Sequence, residues 1–378
     1  MSDFISVNEP LLDGNEKKYL LECIETGWIS SEGPFVKEFE QKFAARVHRK
    51  HGIAVTNGTA AIDAAVEALG IGKGDEVIMP TFTIISCITQ IVRCGAIPVL
   101  VDSDALTWNM DVTQIEAKIT ARTKAIMVVH IYGLPVDMDP VLEIAERYGL
   151  KIIEDAAEMH GQTYRGKPCG SFGDISTFSF YPNKHITTGE GGMIVTNDDE
   201  LAETCRSLRN LCFQPEKRFV HERLGWNLRM TNMQAALGLA QLERLDDFVV
   251  KKRSMGRRYS DMLQDQVEIQ LPLQRTDYAE NIYWVYGLVL DEAHGFDAEV
   301  AMKSLSVKGI GSRPFFYPMH KQPVLQRMGL FAEESYPVAE RLYKKGFYIP
   351  SGLVLTDDQI NTVSGTVKKY LETFSKHI

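Results

Sequence analysis

The chain has 378 residues, 44% hydrophobic and 24% charged, so disordered, collagen-like and low-complexity classes are excluded and two domains are expected. Lysine plus arginine number 41 against 50 aspartate plus glutamate, a net charge of −9 that argues against nucleic acid or an anionic membrane as the main partner. No apolar run approaches the roughly 18 residues of a membrane-spanning helix, Met1-Ser2-Asp3-Phe4 lacks the regions of a signal peptide, and the six scattered cysteines form no CxxC, so a cytoplasmic protein with reduced thiols is expected.

In chain order, a polar helix pattern over 15–26 precedes Gly27. From Gly52, short apolar runs alternate with helical stretches. The runs 52–56, 76–80, 97–102, 124–132, 150–155, 175–180 and 192–197 read as strands, and 59–70, 112–120 and 138–149 as helices. Continuous apolar strands between helices predict an α/β fold with a mostly parallel seven-stranded sheet buried on both faces, whose ligands sit at the C-terminal strand ends. A long helical pattern over 232–263 follows. The remainder is a smaller α+β segment with a strand over 283–291, a Pro-rich loop at 313–323 and helices near 298–307, 338–346 and 356–375. This places a large domain at 1–250 and a small one at 251–378.

Three local features can carry chemistry. In 176-STFSFYPNKHITTGEGGMIV-195 a strand ends at Phe180 and a turn presents Lys184 before the glycine-rich 188-TGEGG-192. A lysine beside glycines that admit a ligand can be a covalent nucleophile, although the spacing by itself favours a loop cation with turn glycines. In 153-IEDAAEMHG-161 two adjacent acids close an apolar strand. A carboxylate buried there suits a cationic ring nitrogen; the plainer reading has Asp155 as a helix N-cap and Glu154 in solvent. In 56-TNGTAAID-63 a strand meets a helix through Asn57-Gly58-Thr59, either a phosphate cradle or a simple cap. The segment 161-GQTYRGKP-168 fits GxxxxGK, but Pro168 replaces the Mg²⁺-binding Ser/Thr and the segment reads as a hairpin turn. Neither GxGxxG nor HExxH occurs, and no metal site is expected. The run Lys251-Lys252-Arg253 with Arg257-Arg258 reads as a solvated helix face. His48 and His51 read as surface residues, and His160, His185 and His320 as site candidates.

In this order and spacing, the pieces resemble the DegT/DnrJ/EryC1/StrS sugar aminotransferases, pyridoxal-phosphate enzymes with the type I aspartate-aminotransferase fold. The resemblance covers essentially the whole chain: 11-LLDGNEKKYLLECIETGWISSEGPFVKEFE-40, NGTAA, 79-MPTFTIIS-86, 129-VHIYG-133, EDAAE, FSFYPNK with TTGEGG, 226-WNLRMTNMQAALGLAQLERLD-246 and 312-SRPFFYPMHKQP-323. It implies that Lys184 bonds pyridoxal 5'-phosphate covalently and that Asp155 pairs with the pyridine nitrogen. Glu158 would lie near the ring hydroxyl, where many relatives carry Gln, and Gly58, Thr59 and Ser179 would hold the phosphate. Asn227 matches the asparagine that reaches the phosphate from a partner subunit, implying a homodimer with shared sites. Ile84 stands where many relatives place an aromatic over the ring.

The reaction the resemblance implies is ping-pong transfer of an amino group from L-glutamate to a nucleotide-linked keto sugar. The runs SRPFFYPMH, LDGNE…GWISS and RMTN…AAxGxAQLER are most similar to members that aminate GDP-4-keto-6-deoxy-D-mannose at C4. Under that reading Arg313, His320 and His185 dock the sugar nucleotide; Arg313 as a surface-loop cap is the alternative. Another keto sugar (UDP- or dTDP-linked), or sugar 3-dehydration, is the competing activity, and the dehydratases carry His in place of the lysine. The register of Lys184 with FSF and GEGG favours transamination.

Overall fold

The computed structural model describes residues 4–214, 216–292 and 295–375. Helix α1 (Glu16–Thr26) stops at Gly27, whose φ of 75° lies in the left-handed region, and α2 (Pro34–Arg46) opens on a proline, which needs no amide partner there. Then follow β1 (His51–Val55), α3 (Gly58–Ala68), β2 (Glu76–Pro80), α4 (Ser86–Arg93), β3 (Ile97–Val101), β4 (Thr123–Val129), α5 (Met138–Tyr148) and β5 (Lys151–Asp155). A small hairpin of β6 (Thr163–Tyr164) and β7 (Lys167–Pro168) precedes β8 (Ile175–Ser179), β9 (Gly192–Thr196) and α6 (Asp199–Arg209). The hairpin sits where the sequence places one.

Seven strands form one sheet in the order β1-β9-β8-β5-β4-β2-β3, and only β9 runs against its neighbours. Along β4, Ala125, Met127 and Val129 join one apolar core and Ile126 and Val128 join the other. This two-residue period, with both faces covered, is why these strands read as unbroken apolar runs. The helix expected over 112–120 is instead two 3-10 turns, Val112–Gln114 and Glu116–Lys118. Val112, Thr113, Ile115 and Ile119 are β-branched and pay for helix in side-chain freedom, and Asp111 Oδ1 takes the Thr113 amide at 3.1 Å.

The pattern over 232–263 is two helices, α7 (Asn232–Leu242) and α8 (Leu245–Leu263), broken at Glu243-Arg244, where Arg244 pairs with Asp13. Beyond them, β10 (Ile269–Gln270), β11 (Tyr286–Leu290), α9 (Ala298–Val307), β12 (Arg313–Pro314), α10 (Pro323–Arg327), α11 (Pro337–Lys345), β13 (Gly346–Ile349) and α12 (Asp357–Ser375) build a second unit on an antiparallel sheet ordered β10-β11-β13-β12. The boundary expected at 250 falls inside α8. The chain start also pairs with the second unit: Ile5 N donates to Gly309 O at 2.9 Å, Ser351 N donates to Val7 O at 2.8 Å, and Ile5 is buried in that unit's core. Lys252, expected on a solvated face, is buried on α8; its Nζ donates to the carbonyls of Trp284, at 2.8 Å, and Ser351, and burial pushes its pKa down to about 7. Among the described residues, no helix is long and apolar enough to cross a membrane.

Glu154, expected in solvent, is fully buried. Its carboxylate accepts from Gly170 N at 2.6 Å, Phe172 N at 2.9 Å, Ser176 Oγ at 2.8 Å and His130 Nε2 at 3.1 Å. Val136 N donates to His130 Nδ1 at 3.0 Å, so the ring proton sits on Nε2, toward Glu154. Arg49, also buried, donates to the carbonyls of Gly170 (2.9 Å) and Gly173 (3.1 Å) and to Ser176 Oγ (3.2 Å). The network fixes the backbone of β5 just before Asp155. Arg49→Met leaves the Glu154 charge without its nearby cation and the loop carbonyls without donors. It should cost about 3–5 kcal/mol in urea unfolding; a loss under about 1 kcal/mol would show the brace to be dispensable.

Candidate active site

Strands β4 and β5 end level, Val129 beside Asp155, while β8 pairs Thr177 with Asp155 and runs on to Ser179. Parallel sheets leave their ligand sites at such ends. Here a cavity of about 790 Å³ opens, with Lys184, Asp155, Glu158, Ser179, Gly58 and Thr59 in its wall. The N-terminus of α3 points into it. Asn57 Oδ1 caps that helix by accepting from Ala60 N at 2.8 Å, and Thr59 Oγ1 lies 2.8 Å from Ser86 Oγ. Glycine is required at 58 because a Cβ there would stand 2.7 Å from Ser179 Cβ. A helix N-terminus ringed by the hydroxyls of Thr59, Ser86 and Ser179, with no side chain at 58, is an anion cradle.

The charges in this cavity do not balance. Lys184 Nζ lies 3.7 Å from Glu158 Oε1 and 3.8 Å from the centre of the Trp284 ring. Burial lowers its pKa, opposed by the nearby Glu158 and Asp155 carboxylates. Burial raises Glu158 from 4.5 to about 7, with the Lys184 charge acting against the rise. Tyr132 N donates to Glu158 Oε2 at 2.7 Å, presented by a left-handed backbone with φ 56° at Tyr132. Asp155 is buried and its pKa is raised by desolvation; Ala157 N donates to Oδ1 at 3.0 Å and Cys87 Sγ to Oδ2 at 3.3 Å. Asp155 therefore ends a strand and does not cap a helix. Two buried carboxyls thus face one amine; Glu158 pairs with it, and Asp155 has no ion-pair partner among the described residues.

The other candidates take different places. His185 follows Lys184 directly but turns inward: it is buried, its Nε2 lies 3.2 Å from Ile282 O, and it does not line the cavity. His160 packs on Phe43, Phe178 and Phe180 and is pushed down to about 3 by burial. His320 is buried outside the cavity between Thr81 Oγ1 (2.8 Å) and Glu340 Oε1 (3.0 Å). Two histidines expected at the sugar are thus held by protein partners. Asn227 is exposed, its Oδ1 accepting from Arg229 Nε at 2.9 Å, and it does not line the cavity of its own chain. Arg313 lines an adjoining cleft. Ile84 lies in the cavity wall, 47% exposed. His130, Glu154 and Cys169 bring possible ligand atoms within 4.8 Å of one another, but the His130 and Glu154 atoms are already hydrogen-bonded in the brace.

Sequence reasoning missed Trp284, Phe316, Tyr348 and Ser86 in the cavity wall. Trp284 sits over Lys184 and donates its Nε1 proton to Asn183 O at 2.8 Å. It stands in 283-YWVYGLVLD-291, where an aromatic pair opening an apolar strand was the available signal.

The Glu158 shift has a measurable sign. Because the folded pKa (about 7) exceeds the ordinary 4.5, the carboxyl's contribution to stability is whole below pH 4.5 and is lost as pH rises to about 7. In the cofactor-free protein, Tm of Glu158→Gln minus Tm of the parent should therefore climb between pH 4.5 and 7 and then level off. A gap independent of pH would contradict the shift.

Three comparisons bear on this geometry. The DegT/DnrJ/EryC1/StrS aminotransferase family matches residues 10–368. GDP-perosamine synthase of Caulobacter vibrioides is 46% identical over 98% of this chain and 100% of its own length, and that of Escherichia coli O157:H7 is 41% identical over 97% and 98%. Spr1654 of Streptococcus pneumoniae, solved in its PLP form, superposes with a TM-score of 0.91 at 25% identity, covering 98% of this chain and 99% of that one. The fold, the lysine in the cavity at the strand ends and these matches agree: the chain belongs to the DegT/DnrJ/EryC1/StrS aminotransferase family.

Proposed function

We propose that the protein uses pyridoxal 5'-phosphate to move an amino group from L-glutamate to C4 of GDP-4-keto-6-deoxy-D-mannose, giving GDP-perosamine. The observation that carries the chemistry is Lys184, its side chain only 10% exposed, beside the buried Glu158 and Asp155 at the sheet's C-terminal edge. The perosamine synthases named above support the sugar and its nucleotide.

The residues present fit this cofactor. The cradle of Gly58, Thr59, Ser86 and Ser179 suits a phosphate, Asp155, with no ion-pair partner among the described residues, suits a protonated ring nitrogen, and Lys184 lines the same cavity. When bound, the cofactor supplies an electrophilic carbonyl carbon and an electron-withdrawing ring. Asp155 keeps the proton on the ring nitrogen. Lys184 Nζ, whose lowered pKa favours the neutral amine, would hold the carbonyl carbon and, when free, would take a proton from the α-carbon of the amino donor and return it to the cofactor side. Trp284, with its ring centre 3.8 Å from Nζ, helps exclude water from that nitrogen. The same groups serve both halves of a ping-pong cycle. His185 lies outside the cavity and Lys184 inside it, which favours transamination over dehydration.

The active species in this proposal is a cytoplasmic homodimer. Asn227 cannot serve its own chain's cradle, which it does not line, and would reach the phosphate of a second copy.

The test is an absorbance titration of the cofactor-loaded enzyme. The cofactor band should change with L-glutamate and return with GDP-4-keto-6-deoxy-D-mannose; return only with a UDP- or dTDP-linked keto sugar would reassign the substrate. Lys184→Ala should lower turnover by more than about 10³-fold while the fold survives, and retained turnover would remove Lys184 from the mechanism. Asn227→Ala should weaken cofactor retention by about ten- to a hundred-fold without dissociating the dimer; unchanged retention would count against the shared site.

A further inference from the structure

Helix α8 carries a buried amine that the chemistry at Lys184 does not use. Lys252 is 2% exposed, no carboxylate among the described residues pairs with it, and desolvation alone lowers its pKa. An amine taken out of water without a counter-charge opposes folding, and an apolar side chain of similar size would fill the same space at less cost. What Lys252 adds is two hydrogen bonds. Its Nζ donates to Trp284 O at 2.8 Å and to Ser351 O, joining α8 to the segment that enters β11 and to the one that leaves β13. Two donors suffice for two carbonyls, so the tether holds whether Nζ carries two protons or three.

The segment entering β11 needs such a tether. Tyr283 has a left-handed backbone, φ 49°, which a bulky residue adopts only when its surroundings impose it. Helix α8 imposes it at two points one turn apart. At Gly256 the missing side chain seats the Tyr283 ring, where a Cβ would stand 2.3 Å from Cδ2. At Lys252 the amine holds the carbonyl of the next residue, Trp284. Asn281 Oδ1 fixes the near side by accepting from Tyr283 N at 2.6 Å. What these contacts determine is the aim of one side chain. The Trp284 ring centre lies 3.8 Å from Lys184 Nζ, and its Nε1 donates to Asn183 O at 2.8 Å, one residue before the lysine.

Resting on the reading of Lys184 as the covalent partner of the cofactor, we propose that Lys252 is a positioning residue for the reaction. Through the Trp284 carbonyl it keeps the indole against Lys184 Nζ and water away from that nitrogen. Lys252 does not itself line the cavity, so its effect on the chemistry passes through Trp284.

The experiment compares cofactor-loaded parent, Lys252→Met, Lys252→Gln, Trp284→Phe and the Lys252→Met/Trp284→Phe double variant. Two quantities are read: the single-turnover rate at which L-glutamate converts the cofactor band, and the pH midpoint at which that band shifts in the resting enzyme. Lys252→Met should slow the conversion by about 10- to 100-fold. It should also move the midpoint upward by about half a pH unit or more, because water returning to the nitrogen favours its charged form. Trp284→Phe should move both in the same directions, and the double variant should be no slower than the slower single one, since the two residues act through one contact. Lys252→Gln, which keeps an amide donor, should fall between the parent and Lys252→Met. A parent-like rate and midpoint in Lys252→Met, or a double variant in which the two losses multiply, overturns the positioning role and leaves Lys184 its own. So does a parent-like midpoint in Trp284→Phe, a result that stands even where Lys252→Met does not fold. A parent that forms no such band removes the reading of Lys184, and the positioning role falls with it.

Discussion

Two carboxyls and one amine share the cavity at the edge of the large sheet, and much of the architecture follows from keeping them there. Removing Asp155, Glu158 and Lys184 from water opposes each charge, visible as raised carboxyl pKa values and a lowered amine. An uncompensated arrangement of that kind relaxes unless the backbone around it is rigid. The rigidity comes from below: Glu154, one residue before Asp155, is locked from four directions, and Arg49 ties the 170–173 loop and Ser176 to the same spot. Adjacent acids on one strand thus have opposite tasks. One is saturated with donors and inert, and the other keeps capacity for a cationic partner.

The approach of α3 to β8 is the second constraint. The helix can bring its N-terminus to the strand ends only because Gly58 has no side chain and because Ala60, Ala61, Ala64 and Ala65 present small faces to the core. Helix dipole, hydroxyls and backbone amides then share one cavity with the carboxyls, so a zwitterionic cofactor would be oriented there by charge.

What was legible from sequence divides along a physical line. The sheet, its strand count and the hairpin at 161–168 were readable because period and turn chemistry are local. The 112–120 segment was misjudged because its apolar spacing suited a helix while its β-branched residues did not. Lys252 looked solvated because its neighbours are charged, yet it is buried against carbonyls over thirty and nearly a hundred residues away. Spacing alone left Lys184, Asp155 and the Gly58 turn ambiguous; their collinear order made them a site. His185 and His320 were candidates by proximity in sequence, which says nothing about which way a side chain turns. Trp284 lies a hundred residues from Lys184 in sequence, and the aromatic pair that opens its strand does not say which cavity it faces.

The turn that bears Lys184 is tied to material outside the large sheet. Asn8 holds the carbonyl of Pro182 and Trp284 that of Asn183; Asn8 lies against Gly352 and Trp284 against Tyr348, both of the second unit. The lysine's position is therefore joint property of the two halves. A recombinant enzyme that keeps residues 10–263 and borrows the rest from a relative with different sugar preference would inherit a foreign grip on its own nucleophile. Exchange of specificity by grafting must then carry the first nine residues together with the C-terminal unit, as one cassette drawn from both ends of the gene.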